Sequence, residues 1–145
     1  MELTERAIQL LAPILNADPD NIGIRHDMAR IKSEMGWWLV WDGQTQEGLN
    51  LLEGATPELE YVSANLPKLL DAQHHLWRAY SYQVDGLKFT GRNSEALRLL
   101  EDKALPLLLS SLRRYPNHPL LLFDLHEAYL FLGEKRTTNL AIRIS

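Results

Sequence analysis

The chain has 145 residues, 46% of them apolar, and a formal net charge of −4, enough for one domain with a buried core and too apolar for a disordered segment. It contains no cysteine, which excludes disulfides, thiolate zinc sites and a cysteine nucleophile. The charge divides into −7 over residues 1–72 and +3 over residues 73–145, a basic excess too small and scattered for a DNA-binding stripe, so no nucleic-acid partner is expected.

The opening MELTERAIQLL carries Glu2 and Glu5 where a secretory leader would place bases ahead of an apolar core. No run of about 18 apolar residues occurs, so no membrane span is expected. Together with the absence of cysteine, this favours a cytoplasmic location.

Residues 4–16 place Ala7, Leu10, Leu11, Ile14 and Leu15 at helical spacing, with Thr4 as N-cap and Pro13 expected to bend or divide the helix. Residues 18–21, DPDN, read as a turn. From about Asn21 a long helix puts Ile24, Met28, Ile31, Met35 and Trp38 or Leu39 on one side. Gly36 inside it costs about 1 kcal/mol relative to alanine, and is expected to admit a close neighbouring helix. Asp42-Gly43 ends this helix. A second helix through Glu47, Leu49, Leu51 and Leu52 is expected to stop at Gly54, with Thr56 as N-cap and Pro57 restarting it through Leu59, Val62 and Leu66.

The next long helix covers residues 69–89, Thr90-Gly91 is a turn, and a returning helix covers residues 94–115. Asn93 or Ser94 is expected to cap that helix and Pro106 to kink it. The third segment opens at Tyr115-Pro116-Asn117-His118-Pro119, runs through LLLFDLHEAYLFLG to a turn at Gly133, and breaks off in a returning helix, TTNLAIRIS. No stretch alternates over a useful length as a strand would.

Two of these stretches match. Residues 67–100 and 19–52, offset by 48 without a gap, are identical at ten of 34 positions. The pairs are Pro19/Pro67, His26/His74, Arg30/Arg78, Ser33/Ser81, Leu39/Leu87, Gly43/Gly91, Glu47/Glu95, Leu49/Leu97, Leu51/Leu99 and Leu52/Leu100. Self-similarity at such a period marks a helical repeat.

FDLHEAYLFLGEK, residues 123–135, resembles the first helix and turn of a tetratricopeptide repeat, with Leu125, Tyr129 and Gly133 at the Leu, Tyr and turn-Gly positions. His126 stands where that family has a small residue. Met35-Gly36 and Leu39 take the Leu-Gly and Tyr positions in the first copy, and Ala96 and Leu100 the second-helix positions in the second. Pro116 precedes Gly133 by 17 residues, the family's ordinary separation, whereas Pro19 to Gly43 and Pro67 to Gly91 each span 24. The returning arms, Gly43 to Pro67 and Gly91 to Pro116, span 24 and 25. Each long arm thus adds about two helical turns, which turns its apolar face by only about 20°.

The resemblance implies an all-α fold, an α-solenoid of stacked antiparallel helix hairpins in a right-handed superhelix of about six to eight helices. It forms one domain over residues 1–145, with repeats over 19–66, 67–115 and 116–145. Residues 1–18 are a returning helix serving as N-terminal cap, with Ile8, Leu11 and Leu15 inward. Because the chain opens on an unpaired returning helix and closes just after a turn, it is expected to be a segment of a longer protein.

No chemistry of an enzyme is legible: phosphate-cradling glycine loops and GxSxG are absent, and no cofactor is expected. The five histidines include no HExxH and no i, i+4 pair. His74 and His75, adjacent on a helix, diverge by about 100°. Equivalent positions such as His26 and His74 are expected to lie a helix pair apart, so no metal site is expected.

A surface stripe is the better candidate. His26, Arg30, Ser33, Trp37 and Trp41 line one helical face. His74, Arg78, Ser81, Asp85 and Phe89 repeat the offsets, and Phe123, Glu127 and Phe131 continue the stripe. In tetratricopeptide proteins this face lines the concave groove, and the resemblance implies the same here. Arginines and aromatics there suit a peptide or protein partner with acidic and apolar residues. The competing reading is that Trp37, Trp38 and Trp41 pack between helices and that Arg30 and Arg78 pair with Glu34 and nearby acids. The expected function is a protein-interaction module. The alternative is a domain that senses a small ligand or peptide within a larger signalling protein.

Overall fold

The computed structural model describes residues 1–144, with side-chain environments through Gly133, and is helical throughout with no strand among the described residues. The helices are α1 (Glu2–Ala17), α2 (Ile22–Trp41), α3 (Thr45–Asn65), α4 (Leu70–Phe89), α5 (Asn93–Leu99), α6 (Leu105–Arg114) and α7 (Pro119–Ile144), with a π-helical turn, Leu100–Ala104, joining α5 to α6. Helix α2 packs most extensively on α3. Contacts then run from α3 to α4, from α4 to α5 and the π turn, and from α6 to α7, with α2 also against α4 and α1 against α2.

The 48-residue period reappears in the backbone. After α2, the N–H groups of Asp42, Gly43 and Gln44 donate to Trp38, Val40 and Leu39; after α4, those of Thr90, Gly91 and Arg92 donate to Gly86, Lys88 and Leu87. Gly43 and Gly91 have φ of +85° and +75°, the left-handed conformation that a side chain disfavours. The returning arms also end alike. The Asp18, Leu66 and Tyr115 amides each close a last helical turn onto Ile14, Val62 and Ser111, and their carbonyls accept from Asn21, Leu69 and His118.

Several expected breaks are absent. Helix α1 starts at Glu2 rather than at a Thr4 cap and continues through Pro13. Helix α3 is one helix through Gly54, Thr56 and Pro57. Leu49, Leu52, Leu59 and Val62 are fully buried along it, and burial of about 1.5–3 kcal/mol per side chain outweighs a proline cost of about 3 kcal/mol. The Thr56 hydroxyl, expected as a cap, lies 2.6 Å from the Leu52 carbonyl and 2.8 Å from Gln83 Oε1. Asn93 is the first residue of α5, which has no side-chain cap. Next to Pro106, where a kink is expected, the Leu105 amide bonds the Leu100 carbonyl five residues back, so a π turn accommodates the proline. Gly133 lies within α7, so the third copy has no turn there and no separate returning helix over residues 134–144; Ser145 lies outside the described residues.

The core runs through Leu49, Leu59, Leu76, Trp77, Tyr80, Leu87, Leu100, Leu108, Leu121 and Leu132. At its tightest point two helix backbones meet. A Cβ at Gly36 would lie 2.8 Å from the Gly48 carbonyl oxygen, and one at Gly48 would lie 2.9 Å from the Val40 amide. Close approach at Gly36 is as its place in the helix suggests, but its partner Gly48 carries no comparable sequence signal. Helix α1 contributes no buried residue; Ile8, Leu11 and Leu15 are half-buried, and Leu3, Leu10 and Ile14 are exposed.

Gly48→Ala is expected to destabilise the fold by about 1–3 kcal/mol, because the added methyl meets backbone rather than a flexible side chain. Gly54→Ala, with nothing within 4 Å of its Cβ, is expected to stabilise by about 0.5–1 kcal/mol. Urea unfolding of the two variants checks the opposite signs.

Candidate functional site

Helices α2 and α4 lie side by side and carry most of the stripe. At its turn end is an aromatic ledge. Trp37 meets Trp38 and Trp41 edge-on at 5.6 and 5.8 Å between ring centroids, and tilts over Tyr82 at 5.1 Å. Trp41 meets Phe89 of α4 edge-on at 5.4 Å. Trp37 is half-buried, whereas Trp38, Trp41 and Phe89 remain 55%, 57% and 55% exposed. The tryptophans thus belong mainly to the surface. Trp41 and Phe89, equivalent in the two copies, touch each other.

Below the ledge, charge is consumed internally. Arg78 Nε donates to the Tyr82 hydroxyl at 2.8 Å, and its Nη2 lies 3.2 Å from Glu34 Oε1. The Tyr82 hydroxyl itself lies 3.2 Å from Glu34 Oε2. Burial, together with the Glu34 charge, pushes the phenol up to about 12, so it stays a donor at neutral pH. This triangle ties α2 to α4 and pairs the arginine expected to meet an acidic partner.

Further along the seam, His26 Nε2 lies 3.1 Å from His75 Nδ1. The expected separation of a helix pair is therefore wrong, because α2 and α4 pack directly. Sequence equivalence pointed to His74, but the helix-to-helix shift brings up its neighbour. Burial lowers the pKa of His26, His74 and His75, reaching about 4 for His75, where His26, Arg30 and His74 add repulsion. Asp27 and Asp71 act in the opposite sense on this cluster. Among the described residues no group of three metal-ligating side chains converges.

The remaining stripe residues separate. Ser33 is 2% exposed and its hydroxyl donates to the Arg30 carbonyl at 2.9 Å, so it cannot meet a partner in this conformation. Its sequence equivalent Ser81 lines a cavity of about 300 Å³ between α4 and α7, together with Asp85, Phe123, Glu127 and Phe131. Arg30 is half-buried on α2. Phe123 is 59% exposed, Glu127 is exposed and Phe131 is buried. Residues outside the stripe also line this cavity, among them Trp77, Lys88 and Asp124. The only sequence signal of these three was their presence on the same two helices.

No family model matches this chain, and no curated protein or solved structure does either. No helix among the described residues is long and apolar enough to cross a membrane.

The histidine cluster predicts a pH dependence. Its folded-state pKa values are depressed, so the unfolded chain takes up protons first. The stability it supports is complete above the ordinary histidine value of 6.5 and falls as pH drops from there towards about 4. Asp85 and Asp124, raised by burial, act the other way: their contribution is complete below 3.8 and is lost as pH rises through their folded values. His75→Gln removes the His75 share of the first effect and none of the second, so its urea midpoint is expected to fall less between pH 7 and about pH 4.5 than that of the unsubstituted protein.

Proposed function

We propose that this chain is a protein-interaction module, an α-solenoid of elongated tetratricopeptide-like hairpins that holds an extended peptide or protein segment along α2, α4 and the start of α7. The observation that carries the reading is the aromatic ledge. Trp38, Trp41 and Phe89 are more than half exposed; Trp41 and Phe89 touch across two helices and Trp38 joins them through Trp37, and exposed apolar surface of that continuity marks interaction sites. Tryptophan and tyrosine offer large, rigid contact area and are enriched among binding hot spots.

The repeat reading is supported by backbone bonds recurring every 48 residues at the turns after α2 and α4. Arrays of this kind present extended faces rather than deep active-site clefts. The uninterrupted α7 limits the hairpin description to residues before it.

Selection from a random peptide library on the immobilised protein tests the proposal. Peptides enriched on the unsubstituted protein are expected to bind Trp41→Ala/Phe89→Ala at least about tenfold more weakly, since loss of one hot spot costs about 2 kcal/mol or more, while its thermal midpoint stays within a few degrees. Enriched peptides that bind the double variant equally well would remove the ledge from the site.

A further inference from the structure

The cavity between α4 and α7 differs in chemistry from the rest of the stripe. Its aromatic wall is Trp77, Phe123 and Phe131, and its polar lining includes three carboxylates, Asp85, Asp124 and Glu127, against one cation, Lys88. Asp85 and Asp124 are partly withdrawn from solvent. The Trp77 indole is near enough to favour ionised Asp124, but Asp124 Oδ2 is buried without a hydrogen-bond partner. The carboxylate is one donor short, an arrangement that normally costs about 1–3 kcal/mol, or more for a charged group, unless something satisfies it.

The chain's own side chain shows what the cavity accepts. Lys88 Nζ lies 4.4 Å from the Phe131 ring centroid and is the nearby charge that favours ionised Asp85, while Glu127 opposes it. An alkylammonium thus already lies over an aromatic face, with a carboxylate within electrostatic reach. Among the described lining residues two carboxylates remain beyond the one it offsets, with Arg78 acting on Asp124 from outside the lining.

We propose that this cavity is a subsite for a basic side chain, arginine or lysine, carried by the segment bound along α2 and α4. The proposal rests on the groove reading and specifies its partner. Charge complementarity selects the occupant: the Arg78 guanidinium that suggested an acidic partner is paired with Glu34, whereas among the described lining residues the carboxylates outnumber the cation. A guanidinium supplies several donors in a plane and stacks on aromatic faces, so arginine is the better of the two occupants.

The experiment is an NMR titration of the unsubstituted protein with N-acetyl-arginine amide, N-acetyl-lysine amide and N-acetyl-glutamine amide into the millimolar range, read at the Trp77 indole N–H. A saturable shift is expected with the two cations, stronger with arginine, and none with glutamine. Asp85→Asn/Asp124→Asn is expected to weaken the arginine probe by at least about tenfold, and to remain folded because it removes two poorly compensated charges. Lys88→Gln, which removes the resident cation, is expected to strengthen binding by several-fold.

No saturable shift, or binding unchanged in the double asparagine variant, overturns the subsite. Free arginine carries a carboxylate that Glu127 repels; if it binds more tightly than the amide, the occupant is not a peptide side chain. The probes do not depend on the ledge. A cavity that binds them while Trp41→Ala/Phe89→Ala leaves peptide binding intact would sink the groove reading alone. The reverse result would sink only the subsite.

Discussion

Helices α2 and α3 approach until a methyl group at Gly36 or Gly48 would collide with the other backbone. A third glycine completes the junction: a Cβ at Gly86 of α4 would lie 2.7 Å from Leu49 Cδ2 and 3.3 Å from Val40 Cγ2. Close-packed interiors do not yield to such additions without strain. The three helices therefore have one way to fit, and that fit sets the shift between α2 and α4. It brings Trp41 onto Phe89, His26 onto His75 and Glu34 onto Arg78. The aromatic ledge follows from it, because residues next to the junction but outside it have no neighbour to cover them.

Polar groups along the same seam divide by whether they find partners. Glu34, Arg78 and Tyr82 satisfy one another across α2 and α4, which makes them structural ties with little free charge to offer. The half-buried histidines avoid charge, as burial favours the neutral form. Asp85 and Asp124 find incomplete compensation on the side towards α7. The face thus passes from apolar at the turn end, through internally paired charge, to acidic beside α7. A ligand that lies along it must present different chemistry to each part.

Much of the secondary structure was legible from the sequence. Turn glycines 43 and 91, the long helices between them and the prolines near the return turns all follow from local rules that need no tertiary contact. The stop at Gly54 and restart at Pro57 do not occur, because local propensity is weaker than burial of a leucine face. In α3 the helix continues, and between α5 and α6 a π turn accommodates the ring. Gly133 was misread for a related reason: a glycine at a turn-like position is permissive, and nothing local forces the chain to leave the helix there.

Of the candidate site, periodicity correctly placed Trp41 and Phe89 on one face, since a helix fixes which residues share a side. It wrongly grouped Ser33 with Ser81. Two copies of one sequence pattern acquire different surroundings when different helices cover them, and Ser33 is buried while Ser81 lines a cavity. The sequence by itself determined helix content, the 48-residue period and the two glycine turns, all of which are set within a few residues of chain. Tertiary structure alone decided which arginine was neutralised, which histidines met and which carboxylates lacked a donor, because those depend on the shift between helices that the glycine junction imposes.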